Sequence, residues 1–418
     1  MKRTKIIVAL LLGMVIITGL SAGGKQSASS KAATAGGKTR IQFWHSESTE
    51  RRLYLEKMVD RYNVLPNGKA FVDIQYLPSN ELLKRYTLGV VSNELCEIAY
   101  IDNPDTASFA AMGMLIDITA RAATLPNPTY LEGPFNSGKL NGKQYALPTN
   151  SSCLALWSND AMLKAAGVSS LPTTWDELLA VCAALKKANP NVYPLSFSAI
   201  KTEEGTFQFL PWLLSTGVNW DKMDSPEAIK ALTYYKTLAD NKYISPEVIN
   251  WTQSDAEKQF AAGNAAMMIN GSWQIANLAT DAPSMKYTVS NIPRDKVYAS
   301  SLGGENIGMT KAAIGKEDAT WDFLQWFLSL EVNVPYNTDQ GIICPNLAAT
   351  NQYPTNVVMQ AFEEQVKYTV ARGPHPKWPE LSGALQDAIQ ETLTGTKTPA
   401  RAGADAAAKI KVINDSIK

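Results

Sequence analysis

His45 and His375 are the only imidazoles in this chain of 418 residues. A nucleophilic triad needs a base beside its Ser or Cys, and past the first 38 residues no G-x-S-x-G turn presents such a Ser. No H-E-x-x-H and no His/Cys cluster offers a zinc site, and no G-x-x-x-x-G-K-[ST] cradles a nucleotide. Cys96, Cys153, Cys182 and Cys344 are scattered without C-x-x-C pairing. They read as small buried apolar residues, and their spacing leaves disulfides open. Neither a metal nor another cofactor is expected. The chain is instead rich in rings, with 10 Trp and 16 Tyr. Some of these fall in Gly-, Asn- and Pro-rich loops, where a large ring without a ligand is hard to explain.

Hydrophobic period and turn signals show the frame that would position such residues. Thr39 to Trp44 alternates as a short strand ending at His45-Ser46-Glu47-Ser48. The next segment, Thr49 to about Asn63, carries Leu53, Met58, Val59 and Tyr62 on one helical face. Phe71 to Tyr76 reads as a second strand, Asn80 to Val91 as a second helix, and Ile98 to Ile101 as a third strand. Such alternation predicts an α/β fold with parallel, doubly wound sheets. The loops around His45, Ser79 and Asp102 then share the sheet edge where α/β folds place ligands. His45 and Glu47 are candidates there, Glu47 being equally well an acid at a helix start. Asp102 is preferred to Asn103, because Asn103-Pro104 is a plain turn signal. Tyr145 lies in a hairpin over Asn141 to Pro148 and is either a hinge aromatic or core. Thr174 and Glu177 have capping-box spacing, and helices are predicted near Gln208 to Thr216 and from Pro226 to Asn241. Glu305 and Asn306 follow Gly303-Gly304, where a ligand can approach the backbone closely. Trp212, Trp321 and Trp326 read as core or helix surface.

The most informative stretch is Phe260 to Trp273, FAAGNAAMMINGSW. Gly263-Asn264 ends a helix, Ala265 to Ile269 forms a buried strand, and Asn270-Gly271-Ser272 presents Trp273 at its carboxyl end. GKQYALPTN, LALWSNDAMLKAAGV and LPTTWDELLAV precede it, and GTKTPARAGADAAAKI closes the chain. In this order the segments resemble the extracellular solute-binding proteins of ABC importers, particularly the carbohydrate-binding family that includes maltose-binding protein. The resemblance implies a periplasmic-binding-protein-like (type II) fold, with two doubly wound lobes around a hinge and ligand cleft. It implies that Trp273 stacks on a sugar ring and that Trp378, in HPKWPELSGAL, is a second aromatic contact. Trp251, in NWTQSD, is a third candidate. Arg372 beside Gly373-Pro374 would offer paired hydrogen bonds to hydroxyls, with a salt bridge as the alternative. His45, Glu47, Asp102, Tyr145, Glu305 and Asn306 complete the expected ligand-binding set.

The amino terminus has the anatomy of an export signal. Lys2, Arg3 and Lys5 precede an apolar run from Ile6 to Leu20, short of the ~20 residues that span a membrane. Leu20-Ser21-Ala22 resembles the start of a lipoprotein box, but Gly23 stands where the lipid-bearing Cys would be, which leaves lipid anchoring open. The expected organisation is a signal peptide over 1–23 and a flexible tether over 24–38. One lobe is then expected from 39–148 with 295–340, and the other from 149–294 with 341–418. Charge is balanced at 39 basic and 39 acidic residues without a basic stripe, which argues against a nucleic-acid partner. The resemblance further implies a monomer in the periplasm or at the outer face of the cytoplasmic membrane. It would bind a mono- or oligosaccharide, pass it to membrane permease subunits and perform no catalysis itself. The competing expectation is an exported glycan-active hydrolase using two cleft carboxylates, which no motif would announce.

Overall fold

The computed structural model describes residues 34–35, 37–47, 49–349 and 352–417. The expected export signal and most of the expected tether lie outside these residues. Thr34–Ala35 pairs antiparallel with Lys38 and Thr39, so the end of the expected tether already joins a sheet edge. Among the described residues no helix is long and apolar enough to cross a membrane.

Two separate sheets organise the chain. In the first, Lys38–His45 lies parallel to Ala70–Tyr76 and Ile98–Asp102. Glu305–Met309 then inserts antiparallel between Ile98–Asp102 and Ala146–Pro148. The second sheet runs Tyr287–Ser290, Leu154–Asn159, Ala265–Gly271, Tyr193–Ser196, and only its last pair is parallel. The sheets are therefore mixed, not wholly parallel as the local alternation predicts. The reason is long-range: a strand returning from the other sheet can enter in the opposite sense, which a reading of neighbouring strand–helix units does not contain.

Each sheet has its own core. Phe43, Tyr100, Ile307 and Phe323 pack in the first, and Trp321 joins them. Leu156, Trp175, Trp212, Tyr235 and Trp378 pack in the second. All four cysteines are buried and unpaired. Local signals hold where the backbone alone decides. Asn141 and Gly142 both take positive φ in the tight hairpin turn, and Thr174 with Glu177 forms a complete capping box. The helix predicted near Gln208 begins earlier, spanning Glu203–Ser215, and this brings two acidic residues to its first turn.

The chain passes between the sheets after Pro148, after Ser290 and after Thr338. These passages touch side by side: Ser151 bridges Ile343, Ser152 bridges Gly303, and Ser300–Ser301 pairs with Thr369–Val370. They form the floor of a gap between the two sheets, and Arg372 follows directly after the last of them.

Candidate ligand-binding cleft

The gap holds a cavity of about 330 Å³ whose lining comes from both sheets and from the floor. Glu47, Arg51, Asp102 and Glu305 line the first wall, and Glu203, Glu204, Phe207, Gln253 and Trp273 the second. Ser152, Gly303, Gly304 and Arg372 contribute from the crossing segments.

Trp273 is placed by the turn that the sequence singles out. Asn270 ties the strand end back to the start of the preceding helix, Gln253–Ala261, its side chain donating to Gln253 O at 2.9 Å and accepting from Gly271 N at 3.0 Å. The Trp273 ring then folds back over Gly271. A Cβ at Gly271 would lie 2.0 Å from the indole Cζ3, so only glycine leaves room. Phe207 supports the indole, with ring centroids 6.1 Å apart.

The first wall carries Glu47, held in a paired ion bridge by Arg51 and also accepting from the Tyr100 hydroxyl at 3.2 Å. Glu305 accepts from the Asn150 amide and is reached by Arg51 only at 3.5 Å. Gly304 precedes it at φ +120°, and a Cβ there would lie 2.6 Å from Asn150 O. Burial, reinforced by the nearby charge of Glu47, raises the Glu305 carboxyl from its ordinary 4.5 to about 7.

That shift predicts a pH slope in stability. Between about 4.5 and about 7 the folded protein holds a proton that the unfolded chain has released. The contribution of Glu305 therefore favours the folded state at the acidic end and is lost as pH rises through about 7. Urea unfolding at pH 5 and pH 7.5 should show a steeper decline for the wild type than for Glu305→Gln; equal slopes would contradict it.

Arg372 sits at the junction of both walls and the floor, only 3% exposed. A guanidinium has five N–H donors, and here each finds a protein acceptor. Nε donates to Leu302 O at 3.3 Å. Nη1 donates to Asp102 Oδ2 at 3.1 Å and Glu203 Oε1 at 2.8 Å. Nη2 donates to Asp102 Oδ1 at 2.7 Å and Asn103 Oδ1 at 3.4 Å. Its carbon lies 4.5 Å over the Phe207 ring. The expected hydroxyl-binding fork thus has no donor left, and the salt-bridge alternative is what the structure presents.

Of the ten residues expected at the site, the cleft gathers Glu47, Asp102, Trp273, Glu305 and Arg372. The other five lie off it for identifiable reasons. His45 still belongs to its strand and turns inward against Phe43 and Tyr76. Asn306 follows Glu305 in a strand, so it faces the opposite side and bonds Thr106 and Ser137. Tyr145 packs on a first-sheet cluster with Trp44 and Leu115. Trp251 packs on the second core, just ahead of Gln253 and Ser254, which do line the cleft. Trp378 is fully buried and supports the wall from behind, its indole N–H donating to Glu203 Oε1 at 3.1 Å. Arg51, Glu203, Glu204, Phe207, Gln253 and Asn277 were missed. The first three look in sequence like ordinary helix-surface or helix-start charges, and nothing local separates them from such.

A sequence profile of the bacterial extracellular solute-binding proteins matches residues 57–356. The chain belongs to that family. A binding protein of Brucella abortus is 24% identical to this solute-binding protein over 356 residues, covering 83% of this chain and 86% of the relative. The maltotriose-binding protein of Pyrococcus abyssi is 28% identical over 379 residues, 86% of this chain and 79% of that one. Among solved structures, an ABC transporter solute-binding protein of Thermotoga lettingae, bound with alpha-D-tagatose, superposes with a TM-score of 0.80. It is 24% identical and covers 90% of this chain and 99% of its own. The likeness establishes the bilobed type II binding-protein fold. These relatives are binding proteins, not enzymes.

Proposed function

We propose that this chain is the exported receptor of an ABC importer that captures a mono- or oligosaccharide in its interlobe cleft. Residues 39–148 with 295–340 would move as one lobe against 149–294 with 341–418, closing about the crossing segments. The closed monomer would dock on membrane permease subunits in the periplasm or at the outer face of the cytoplasmic membrane. The single observation that carries the sugar reading is the Trp273 ring lining a cavity whose rim is built of carboxylates, an amide and hydroxyls. A sugar offers C–H faces to a ring and hydroxyls to such a rim. Phosphorylated or acidic ligands fit poorly, because Glu47, Asp102, Glu203, Glu204 and Glu305 outnumber Arg51 and Arg372 in the lining.

The test is a melting screen of signal-free protein against mono-, di- and trisaccharides, polyols, amino acids and sugar phosphates. A ligand at ~100 times its dissociation constant should add ~2.7 kcal/mol of stability. A sugar that stabilises and is recovered unchanged supports the receptor. A sugar that stabilises and is consumed supports the hydrolase instead. Stabilisation by amino acids or sugar phosphates alone would end the sugar reading.

A further inference from the structure

The charged groups of the cleft do not balance, and the imbalance is localised. Arg372 is saturated by Asp102, Glu203 and backbone or amide oxygens, and Arg51 is bound by both nitrogens of its fork to Glu47. Among the described residues no lysine or histidine lines the cavity. Two carboxyl groups remain without a cation of their own, one on each wall. Glu305 on the first wall has only the distant edge of Arg51. Glu204 on the second wall accepts from Gln253 N at 2.7 Å and has no ion pair among the described residues.

Burial raises the carboxyls of both residues, as expected where no positive charge compensates. The charged and titratable groups that face Glu305 are Glu47, Arg51, Asp102, Tyr100 and Tyr336, and only Arg51 is cationic. The same cavity presents Trp273, whose face attracts cations as well as C–H groups. A neutral sugar would satisfy hydrogen bonds here but would not offset the cost of ionising these two carboxyls. An ammonium group would do both, since hydrogen bonds between ionised partners are the stronger kind.

Resting on the sugar-receptor reading above, we propose that the preferred ligand is a sugar bearing a basic amine, its ammonium held between Glu305 and Glu204 beside Trp273. Each lobe then supplies one carboxyl to the same charge, so closure and amine recognition are one event.

The test is calorimetric titration of the signal-free chain with matched sugars in gluco, galacto and manno configurations. Each set contains the 2-amino sugar, its neutral 2-hydroxy parent, its N-acetyl derivative and the corresponding uronate; ethanolamine and choline serve as non-sugar cations. At least one amino sugar should bind ten-fold or more tightly than its neutral parent. N-acetylation should abolish that preference, and raised salt should reduce it. Glu305→Gln and Glu204→Gln, each checked for an unaltered fold by circular dichroism, should both narrow the amine-to-parent ratio. Neutral parents binding as well as their amines would overturn this inference and leave the receptor reading standing. A preference that survives in both variants, or silence of every amino sugar, would also overturn it. Binding of ethanolamine or choline without any sugar would overturn the sugar reading itself, and this inference with it.

Discussion

Trp273→Ala is expected to weaken sugar binding about 5- to 150-fold, the effect of losing an aromatic anchor worth roughly 1–3 kcal/mol. The fold should survive, because the ring covers the end of a strand and touches the second core only at its margin. Gly271→Ala provides the companion result. The indole lies where the new methyl must go, so the ring is expected to be pushed off its seat without being deleted. Both variants should reduce affinity in the same calorimetric titration while keeping wild-type far-ultraviolet dichroism. An unchanged affinity in Trp273→Ala would remove the indole from the binding surface. An unchanged Gly271→Ala would mean that the ring position does not matter.

Arg372→Met is expected to destabilise the ligand-free protein by about 3 kcal/mol. That is the lower end for breaking a buried ion pair, chosen because Asp102 and Glu203 keep partial contact with solvent. The cost comes from stranding two carboxylates that face each other across the cleft, not from losing attraction alone. Lysine cannot reproduce the five-donor fork, so Arg372→Lys should recover only part of the loss. Denaturant unfolding measures this directly. Loss of affinity with stability within about 0.5 kcal/mol of wild type would instead mark Arg372 as a ligand contact.

The two variants separate what was legible in the sequence from what was not. Trp273 was legible because its placement depends on its own neighbours: a strand, a break, and a glycine that clears space. Glu47, Asp102 and Glu305 were legible for the same reason, each following a strand or a glycine turn. Arg372 was legible as a hydroxyl fork or a salt bridge, but its ion-pair partners were not, since Asp102 and Glu203 lie far from it along the chain. Glu204 and Arg51 were invisible because acids and bases in a first helical turn usually complement the helix dipole or one another. Trp378, expected as a second aromatic contact from the family resemblance, instead opens a helix that docks against the second core. Strand and helix positions came through well. Mixed strand direction did not, because direction is set by which distant segment returns to fill a place in the sheet.

That returning segment bears on how the protein is made. Glu305–Met309 occupies an inner position of the first sheet, flanked by strands that emerge from the ribosome much earlier. Until it arrives, Ile98–Asp102 and Ala146–Pro148 have no strand between them, and the sheet cannot be completed. Contacts of such wide sequence separation are slow to form, because a long loop must close before they repay its entropy. The amino-terminal half of the chain therefore stays unlocked while most of the remainder is synthesised. For the exported chain proposed above this delay would be useful, since a translocation channel threads extended chains and rejects finished domains. The discontinuity beneath the cleft would thus also act as a timer, holding the exported chain proposed here in a threadable form until it has crossed.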